Sequence, residues 1–253
     1  MTQALIKQTP VTAPTRQSVP GSILDCATVI DTDNLWSNFA DGMWTSASCG
    51  INHIIAKPLC DDTGYTNANK TFDMSPGWNT GHHFALYRTL RCNAVGLTLG
   101  EAELVTAFNA AEGLSVATAI ANIYSADADA APVPTGTSAA CNFGGLVDYV
   151  FANYGAAPIF LLPASQAIAL QASHVLDDRL QWAGGGCVAI GSGLTDAFGF
   201  GSMVIMRTPL IVQTIVNPSD NQVSLLVERM YEVGVDCDFV AKAPAEFNCG
   251  ATP

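Results

Sequence analysis

Residues Thr98–Ala126, which read TLGEAELVTAFNAAEGLSVATAIANIYSA, decide the organisation of this chain. Apolar side chains recur there at steps of three, four or eight residues, as one face of a helix requires, at Val105, Phe108, Val116, Ile120 and Tyr124. Thr98 and Glu101 have the spacing of a capping box, and Glu101 and Glu103 are expected in the first turn, where the helix dipole favours carboxylates. Gly113 is the weak point of the pattern. The stretch predicts one helix about 40 Å long, a spine on which sheets are mounted.

A strand–helix–strand unit is predicted downstream of the spine. A helix over NFGGLVDYVFANYG ends at Gly155, and the apolar strand APIFLLP runs to Pro163, which opens a second helix. The next strand is GGGCVAIGSG at 184–193, and the glycine-rich GLTDAFGFG at 193–201 is predicted to be a loop. Apolar strands joined by a helix pair in parallel under helical cover.

Two long β-rich runs follow, at 202–216 and 223–237, separated by the turn NPSDNQ, and they predict an antiparallel hairpin. In the second run one face carries Val227, Arg229, Tyr231 and Val233, and the other carries Leu226, Glu228, Met230 and Glu232.

The first third of the chain has a different character. Residues 1–22, rich in Thr, Pro, Gln and Ser, read as an extended arm, and 48–90 read as a two-stranded excursion with a turn-rich tip. Neither segment can form its own core, so each needs another surface on which to become ordered.

The composition favours a subunit of an assembly. Of the 253 residues, 49% are hydrophobic and only 13% are charged, so apolar surface is left to bury against other subunits. We expect no membrane contact and synthesis in a cytosol, because no apolar run reaches about 18 residues and no signal core is seen. The net charge of −12 excludes a nucleic-acid clamp, so Lys7 and Arg16 give the arm at most a weak, non-specific role.

Motifs of catalysis are absent: there is no nucleophile elbow, no HExxH, no phosphate loop and no dinucleotide fingerprint. Ser173 and His174, with Asp177 and Asp178, are local in sequence, and a solvated helix end is the plainer interpretation. An enzyme alternative, a cytosolic hydrolase, would use Cys141 or Cys187 with His174.

The cysteines indicate neither a disulfide scaffold nor a metal centre. With no signal peptide and no CxxC pair, we expect reduced, mostly buried thiols at positions 26, 49, 60, 92, 141, 187, 237 and 249. The ligand types near the excursion lack the close pairs of structural zinc, and adjacent histidines on a strand point to opposite faces: Cys49, Cys60, His82, His83 and Cys92. We therefore predict no catalytic, cofactor-binding or metal-binding residues.

The order of elements resembles the major capsid proteins of tailed bacteriophages with the Hong Kong-97-type fold, especially those of actinobacterial phages. The resemblance covers most of 35–243 and is carried by NYGAAPIFLLPASQAIAL, GGGCVAIGSG, SMVIMRTPLIV and VERMYEVGVDCDFVAKA. The N-terminal half matches more loosely, through Trp44, Cys49, Cys60, Lys70, Phe84, Tyr87 and Cys92.

This resemblance implies an α+β fold in four parts: an N-terminal arm at 1–47, an extended β-hairpin loop at 48–90, a peripheral domain at 91–132 and 209–247 with the spine helix and hairpin, and an axial α/β domain at 133–208. It implies a structural protein that forms pentamers and hexamers in an icosahedral virion shell around double-stranded DNA, assembled in the host cytoplasm. The implied partners are further copies of the chain, with scaffold, portal and decoration proteins, and DNA by weak non-specific contact.

Two points stay open at this level. An encapsulin-like nanocompartment shell shares the fold but would hold a cargo enzyme and no DNA. Some relatives weld the shell by joining a loop Lys to an Asn of a neighbour, for which Lys57 or Lys70 and Asn217 or Asn248 are the formal candidates here, with no spacing argument to select among them.

Overall fold

The computed structural model describes residues 21–33, 44–45, 78–79, 81–93, 97–131, 138–177, 180, 182, 184–217 and 222–245. The helices among them are α1 Ile23–Cys26, α2 Leu97–Tyr124, α3 Ala139–Asn153 and α4 Ala164–Ala172. The strands are β1 Thr28–Asp31, β2 Trp44–Thr45, β3 Trp78–Asn79, β4 His82–Asn93, β5 Asp129–Ala130, β6 Ile159–Pro163, β7 Cys187–Gly191, β8 Asp196–Phe200, β9 Met203–Arg207, β10 Ile211–Asn217, β11 Gln222–Val235 and β12 Val240–Pro244.

The spine helix α2 is present and runs for 28 residues, about 42 Å at 1.5 Å per residue. Four of the five side chains predicted to share its apolar face are buried, namely Phe108, Val116, Ile120 and Tyr124. The predicted N-terminus is wrong in detail. Because the helix begins at Leu97, Thr98 lies inside it rather than at the N-cap, and no acidic residue lies in the first turn.

The first sheet is built around β11. This long strand pairs antiparallel with β4 along one side, and with β10 and then β9 along the other, while β1 adds in parallel to β9. The predicted hairpin is confirmed, but its first run is two strands, because Pro209 between β9 and β10 has no N–H for the ladder. Thr208 keeps the break in register, since its N–H donates to Met230 O (3.0 Å) and its Oγ1 accepts from Met230 N (3.1 Å).

The second sheet has the order β5-β12-β8-β6-β7. The parallel β6–β7 pair is confirmed, Gly155 follows the end of α3 with φ 73°, and Pro163 is the N-cap of α4. Three strands of this sheet were not predicted. The stretch 193–201 contains β8, which lies between β6 and β12, so the prediction of a glycine-rich loop is wrong there. The stretch 127–136 reads as a linker and 238–253 as a trailing tail of small and polar residues, but they contain β5 and β12. Gly199 is needed because a Cβ there would lie 2.5 Å from Cγ2 of Val150 on α3.

The spine helix packs against both sheets. One buried cluster joins Ile120 of α2 to Leu161 and Phe200 of the second sheet and to Ile205 and Tyr231 of the first. A second cluster lies between the second sheet and helices α3 and α4. By length and composition alone Gly100–Tyr124 could also cross a membrane, but a core helix passes the same test, and here the apolar stripe is buried in protein.

The predicted return strand of the excursion is part of the first sheet, because β4 pairs with β11 along its whole length. A short two-stranded pair lies beside the excursion. β2 and β3 pair antiparallel, Trp44 with Asn79 and Thr45 with Trp78, and β4 begins three residues later. Residues 1–20 of the predicted arm and residues 48–77 of the predicted excursion lie outside the described residues.

The expectation of reduced cysteines is wrong for three positions. Cys26 at the end of α1 and Cys187 at the start of β7 form a disulfide with a Cα–Cα distance of 5.5 Å, and Cys237 is disulfide-bonded as well. The Cys26–Cys187 pair is separated by 161 residues in sequence and meets only because α1 packs beside β7. Sequence spacing gives no sign of such a contact.

Candidate assembly surface

Strand β10 ends the first sheet, and its two faces are both exposed. Every residue of 211–216 is solvent-exposed, and four of the six are β-branched apolar residues: Ile211, Val212, Ile215 and Val216. Ile215 and Val216 are 55% and 62% exposed. An exposed apolar edge strand with unpaired backbone groups is a template for pairing with another chain.

The surface continues across the side of the sheet that points away from α2. Cross-strand partners share a face, and the register sets Ile211 beside Glu228 and Glu228 beside Tyr87. We call this side the open face; it comprises Tyr87, Thr89, Arg91, Ile211, Gln213, Ile215, Ser224, Leu226 and Glu228. Tyr87 is 72% exposed, an unusual position for a large aromatic ring on a subunit that stays alone.

The opposite side of the same strands packs on α2. Val227 and Tyr231 are fully buried, and Leu225 and Val227 contact Leu104 and Phe108 of the helix. Arg88 of β4 donates from Nη1 to Ala107 O in the helix at 2.9 Å. The helix α2 therefore covers one face of this sheet, and the described residues leave the open face without such cover.

A buried charge cluster ties α2 to three strands. The carboxylate oxygen Oε1 of Glu112 accepts from Arg229 Nη1 (2.6 Å), Tyr231 Oη (2.7 Å) and Arg207 Nη1 (3.1 Å). Arg207 also donates from Nε to Asp31 Oδ1 of β1 at 2.7 Å. Burial, and then the hydrogen bond to Glu112, raises the pKa of Tyr231, so its hydroxyl stays a donor. The hydrogen bond from Arg207 lowers the pKa of Asp31.

This cluster joins the spine helix to the strands of the first sheet. Glu112 occupies the stripe position between Phe108 and Val116, where the pattern predicts an apolar side chain. The sequence signal that could have revealed it is a lone carboxylate on an apolar helix face together with arginines on inward-facing strand positions. Each charge finds an opposite partner, which is how buried charges are tolerated.

A second buried carboxylate lies on the other side of β11. Glu232 is fully buried, its Oε2 is 3.3 Å from His83 Nε2, and neither carboxylate oxygen has a hydrogen bond of good geometry. Gly81 packs against it so closely that a Cβ there would overlap the carboxylate. Burial raises the pKa of Glu232, and the neighbouring His83 opposes that rise.

The structure does not assemble the nucleophile–base sets that the sequence raised. Ser173 donates its hydroxyl to Ala169 O (2.9 Å) and Leu170 O (3.2 Å) of its own helix, and His174 is exposed in the left-handed turn that ends α4. Asp177 is exposed, and Asp178 lies outside the described residues. Cys187 is bound to Cys26 and is therefore not a free thiol, which overturns its place in the hydrolase alternative, whereas Cys141 is free and exposed.

The histidine pair on β4 points to opposite sides, as predicted. His82 packs edge-on against Tyr124 of α2 at 4.9 Å between ring centroids, while His83 faces Glu232. Within the described ranges no three His, Cys, Asp or Glu side chains come close enough to hold a metal ion. Cys49, Cys60, Lys57, Lys70 and Asn248 lie outside those ranges.

Solved capsid structures have a fold similar to that of this chain. The capsid of Ralstonia phage GP4 superposes with a TM-score of 0.52 at 7% sequence identity, over 98% of this chain and 97% of that chain. The chain has the Hong Kong-97-type capsid fold. The structure of Gordonia phage Cozz (TM-score 0.50, 13% identity, 96% of this chain and 90% of that chain) places an actinobacterial phage among the neighbours.

A virus-like particle from Pyrococcus furiosus also has this capsid fold, with a TM-score of 0.50 and 9% identity over 87% of this chain and 91% of that chain. No protein-family model and no curated protein matches the chain. The predicted fold class is therefore confirmed from structure alone, at sequence identities where residue-level roles do not transfer.

Proposed function

We propose that this chain is the major capsid protein of a tailed phage, and that many copies close into an icosahedral shell around double-stranded DNA. The observation that carries the proposal is the capsid fold, matched over nearly the whole of this chain and of the GP4 capsid protein. The proposed role is structural, and the proposed location is the virion after assembly in the host cytoplasm.

The open face and the edge of β10 support self-association. An exposed row of isoleucine and valine on an edge strand makes a protein that stays monomeric prone to aggregation. We therefore propose that a second copy of this chain covers this row. Strand addition or packing by a neighbour's arm or excursion would satisfy both the backbone groups and the apolar side chains. Contacts between unlike surfaces generate rings, which is how pentamers and hexamers form.

The four-part division remains our proposal: arm 1–47, extended loop 48–90, peripheral domain 91–132 with 209–247, and axial domain 133–208. The packing of the spine helix against the first sheet is consistent with it. By contrast, residues 82–90 of the loop range pair with β11 in the first sheet. Met203–Arg207 of the axial range pairs in the first sheet, and Val240–Pro244 of the peripheral range pairs in the second. The two units thus exchange strands at their boundary.

The hydrogen bonds of the basic side chains support the proposal that contact with packaged DNA is weak. Four of the five that the structure describes bond to internal acceptors, namely Arg88, Arg207, Arg229 and Lys242. Tight binding to DNA requires clustered, free Lys and Arg. Scaffold, portal and decoration proteins are further proposed partners.

The test is to express the chain alone, measure particle size by light scattering, and image the same sample by negative stain. We expect shells, tubes or sheets tens of nanometres across. Ile215→Asp, on the edge of β10, should abolish them, whereas Ile168→Asp, an equally exposed isoleucine on α4, should leave them intact. A discrete small oligomer with a rapidly alkylated Cys141 would contradict the proposal and favour the hydrolase.

The absorbance ratio of the purified particles separates the capsid from a nanocompartment of the same fold. Particles recovered from infected cells are expected to carry nucleic acid. Particles from such cells that carry a cargo enzyme and no DNA would favour the encapsulin-like alternative.

A further inference from the structure

The segment at residues 21–31 joins the outer strands of the two sheets. At one end β1 pairs in parallel with β9 of the first sheet. At the other end Gly21 O accepts from Ile190 N of β7 at 2.9 Å, and Cys26 is bonded to Cys187 of the same strand. β7 is the last strand of the second sheet, so this short segment links both sheets at their margins.

The disulfide within this link lies beside an open cavity. Both cysteines are only half-buried, and they line an open cavity of about 330 Å³ together with Asp25 and Trp182. This cavity offers a low-molecular-weight thiol or disulfide an approach to the two cysteines. Accessible disulfides are the ones that respond to their surroundings.

The segment also has non-covalent anchors that do not depend on the disulfide. Ile23 is fully buried in the cluster with Val116 and Ile120, Ser22 caps α1 and packs on Gly113 of the spine, and the β1–β9 pairing is independent of sulfur. The reduced chain therefore keeps a route to the same fold, and the disulfide adds a restraint to a segment already in place.

We propose that Cys26 and Cys187 form a redox latch: a dithiol while the chain folds and assembles in a reducing cytosol, and a disulfide once the particle meets oxidising surroundings. The latch fixes residues 21–31 against both sheets and so fixes the two sheets relative to each other. The cellular timing rests on the proposed function, because thiols stay reduced in a cytosol.

The closing reaction is thiol–disulfide exchange with a small disulfide such as oxidised glutathione. One protein thiolate attacks a sulfur of that disulfide and releases one small thiol, leaving a mixed disulfide. The second protein thiolate attacks the protein-bound sulfur and releases the second small thiol. The protein loses two electrons and two protons, and the small disulfide is reduced to two thiols.

The first experiment determines when the bond forms. Cells making the protein are lysed in N-ethylmaleimide, and the same preparation is compared with one oxidised by glutathione disulfide before alkylation, by peptide mass mapping. We expect alkylated Cys26 and Cys187 in the trapped sample and a linked peptide pair after oxidation. A fully linked pair in the trapped sample, or no linkage after oxidation, would overturn the latch.

The second experiment measures what the bond does, by melting and by hydrogen exchange at Ile190 and 28–31. Because Cys237 is also disulfide-bonded, it is done in a Cys237→Ser background and repeated in the wild type. We expect oxidation to raise Tm by about 4–16 °C and to slow exchange of the Ile190 amide at least tenfold. Cys26→Ser should abolish both changes, and Cys141→Ser, at the free exposed cysteine, should preserve them. Equal shifts in the Cys26→Ser protein contradict the latch.

Running both experiments on the unassembled chain and, where they form, on the particles separates the two proposals. A redox-dependent Tm in a chain that never forms particles would sustain the latch and refute the capsid. Particles whose Tm ignores oxidation would sustain the capsid and refute the latch.

Discussion

The two sheets of this protein differ in how much of their surface is covered by helices. All five residues of β6 in the second sheet are buried, and that sheet lies between α2 and the pair α3 and α4. Among the described residues, the first sheet has the same helix on one side, and the residues of its open face and of the β10 edge are exposed or half-buried. Both faces of the second sheet are covered by helices of the chain, whereas the described residues cover only one face of the first sheet. In the capsid account a neighbour covers the other face.

The buried charged side chains follow the same division, because Glu112 and Glu232 both lie at the first sheet. Glu112 of α2 bonds to the side of the strands that packs on the helix, whereas Glu232 lies on the other side of β11. The cluster around Phe160 in the second sheet is built from apolar and aromatic side chains, with Phe143 at 5.1 Å and Trp182 at 6.0 Å between ring centroids.

Phe160→Ala should lower the free energy of unfolding by about 3–5 kcal/mol, because it empties a fully buried aromatic site. Tyr87→Ala removes an aromatic side chain of similar size from the open face and should change the stability of the unassembled chain by less than about 0.5 kcal/mol. Urea unfolding of both proteins checks the pair. Equal losses would show that the open face is already a packed core.

Glu112→Gln should lower the free energy of unfolding by about 2–4 kcal/mol, since Arg207 and Arg229 would lose their buried counter-charge. Glu101→Gln, an exposed carboxylate on the same helix, is the matched control and should be nearly neutral. Thermal melts at low and high salt test both variants. A neutral Glu112→Gln would mean that the cluster is solvated and does not tie the helix to the strands.

Glu232→Gln should raise stability at pH 8 by about 1 kcal/mol, because the buried carboxylate lacks hydrogen bonds. Burial raises its pKa above the usual 4.5, so the penalty is absent below pH 4.5, grows as pH rises through the folded-state pKa, and is complete above it. The gain should therefore vanish toward pH 4.5 in melts across this range. A gain that is constant with pH contradicts this account.

Asp31→Asn should have the smallest effect, below about 1 kcal/mol, because the Asp31 side chain is 71% exposed and solvent screens its pairing with Arg207. The hydrogen bond from Arg207 lowers the pKa of Asp31, so its contribution is present above pH 3.8 and is lost as pH falls through the lower folded-state value. Melts at pH 7 and pH 2 measure it. A larger difference at pH 2 than at pH 7 would reverse the sign that we assign.

The sequence predicted the elements whose pattern is local and periodic. The stripe of α2, the apolar strands β6 and β7, and the alternating faces of β11 each follow from burial on one side or on both. Strands β8 and β12 were not predicted, because the local sequence of β8 is typical of a glycine-rich loop and that of β12 is typical of a tail. Their strand character comes from lying beside β6 and beside each other, which is tertiary information.

The candidate site was predictable only in part. The excess of apolar residues indicated buried subunit contacts, but nothing in the alternation of β10 says that both of its faces stay exposed. The Cys26–Cys187 disulfide and the cluster around Glu112 join residues more than 90 positions apart. No periodicity records such distances, so they had to come from the fold.

In assembled particles, we expect other copies of the chain to cover the open face of the first sheet. Hydroxyl-radical footprinting of Tyr87, read by mass spectrometry in assembled particles and in unassembled subunits, measures this directly. The account predicts strong labelling of Tyr87 in subunits and at least fivefold protection in particles. Equal labelling of Tyr87 in intact particles would contradict it.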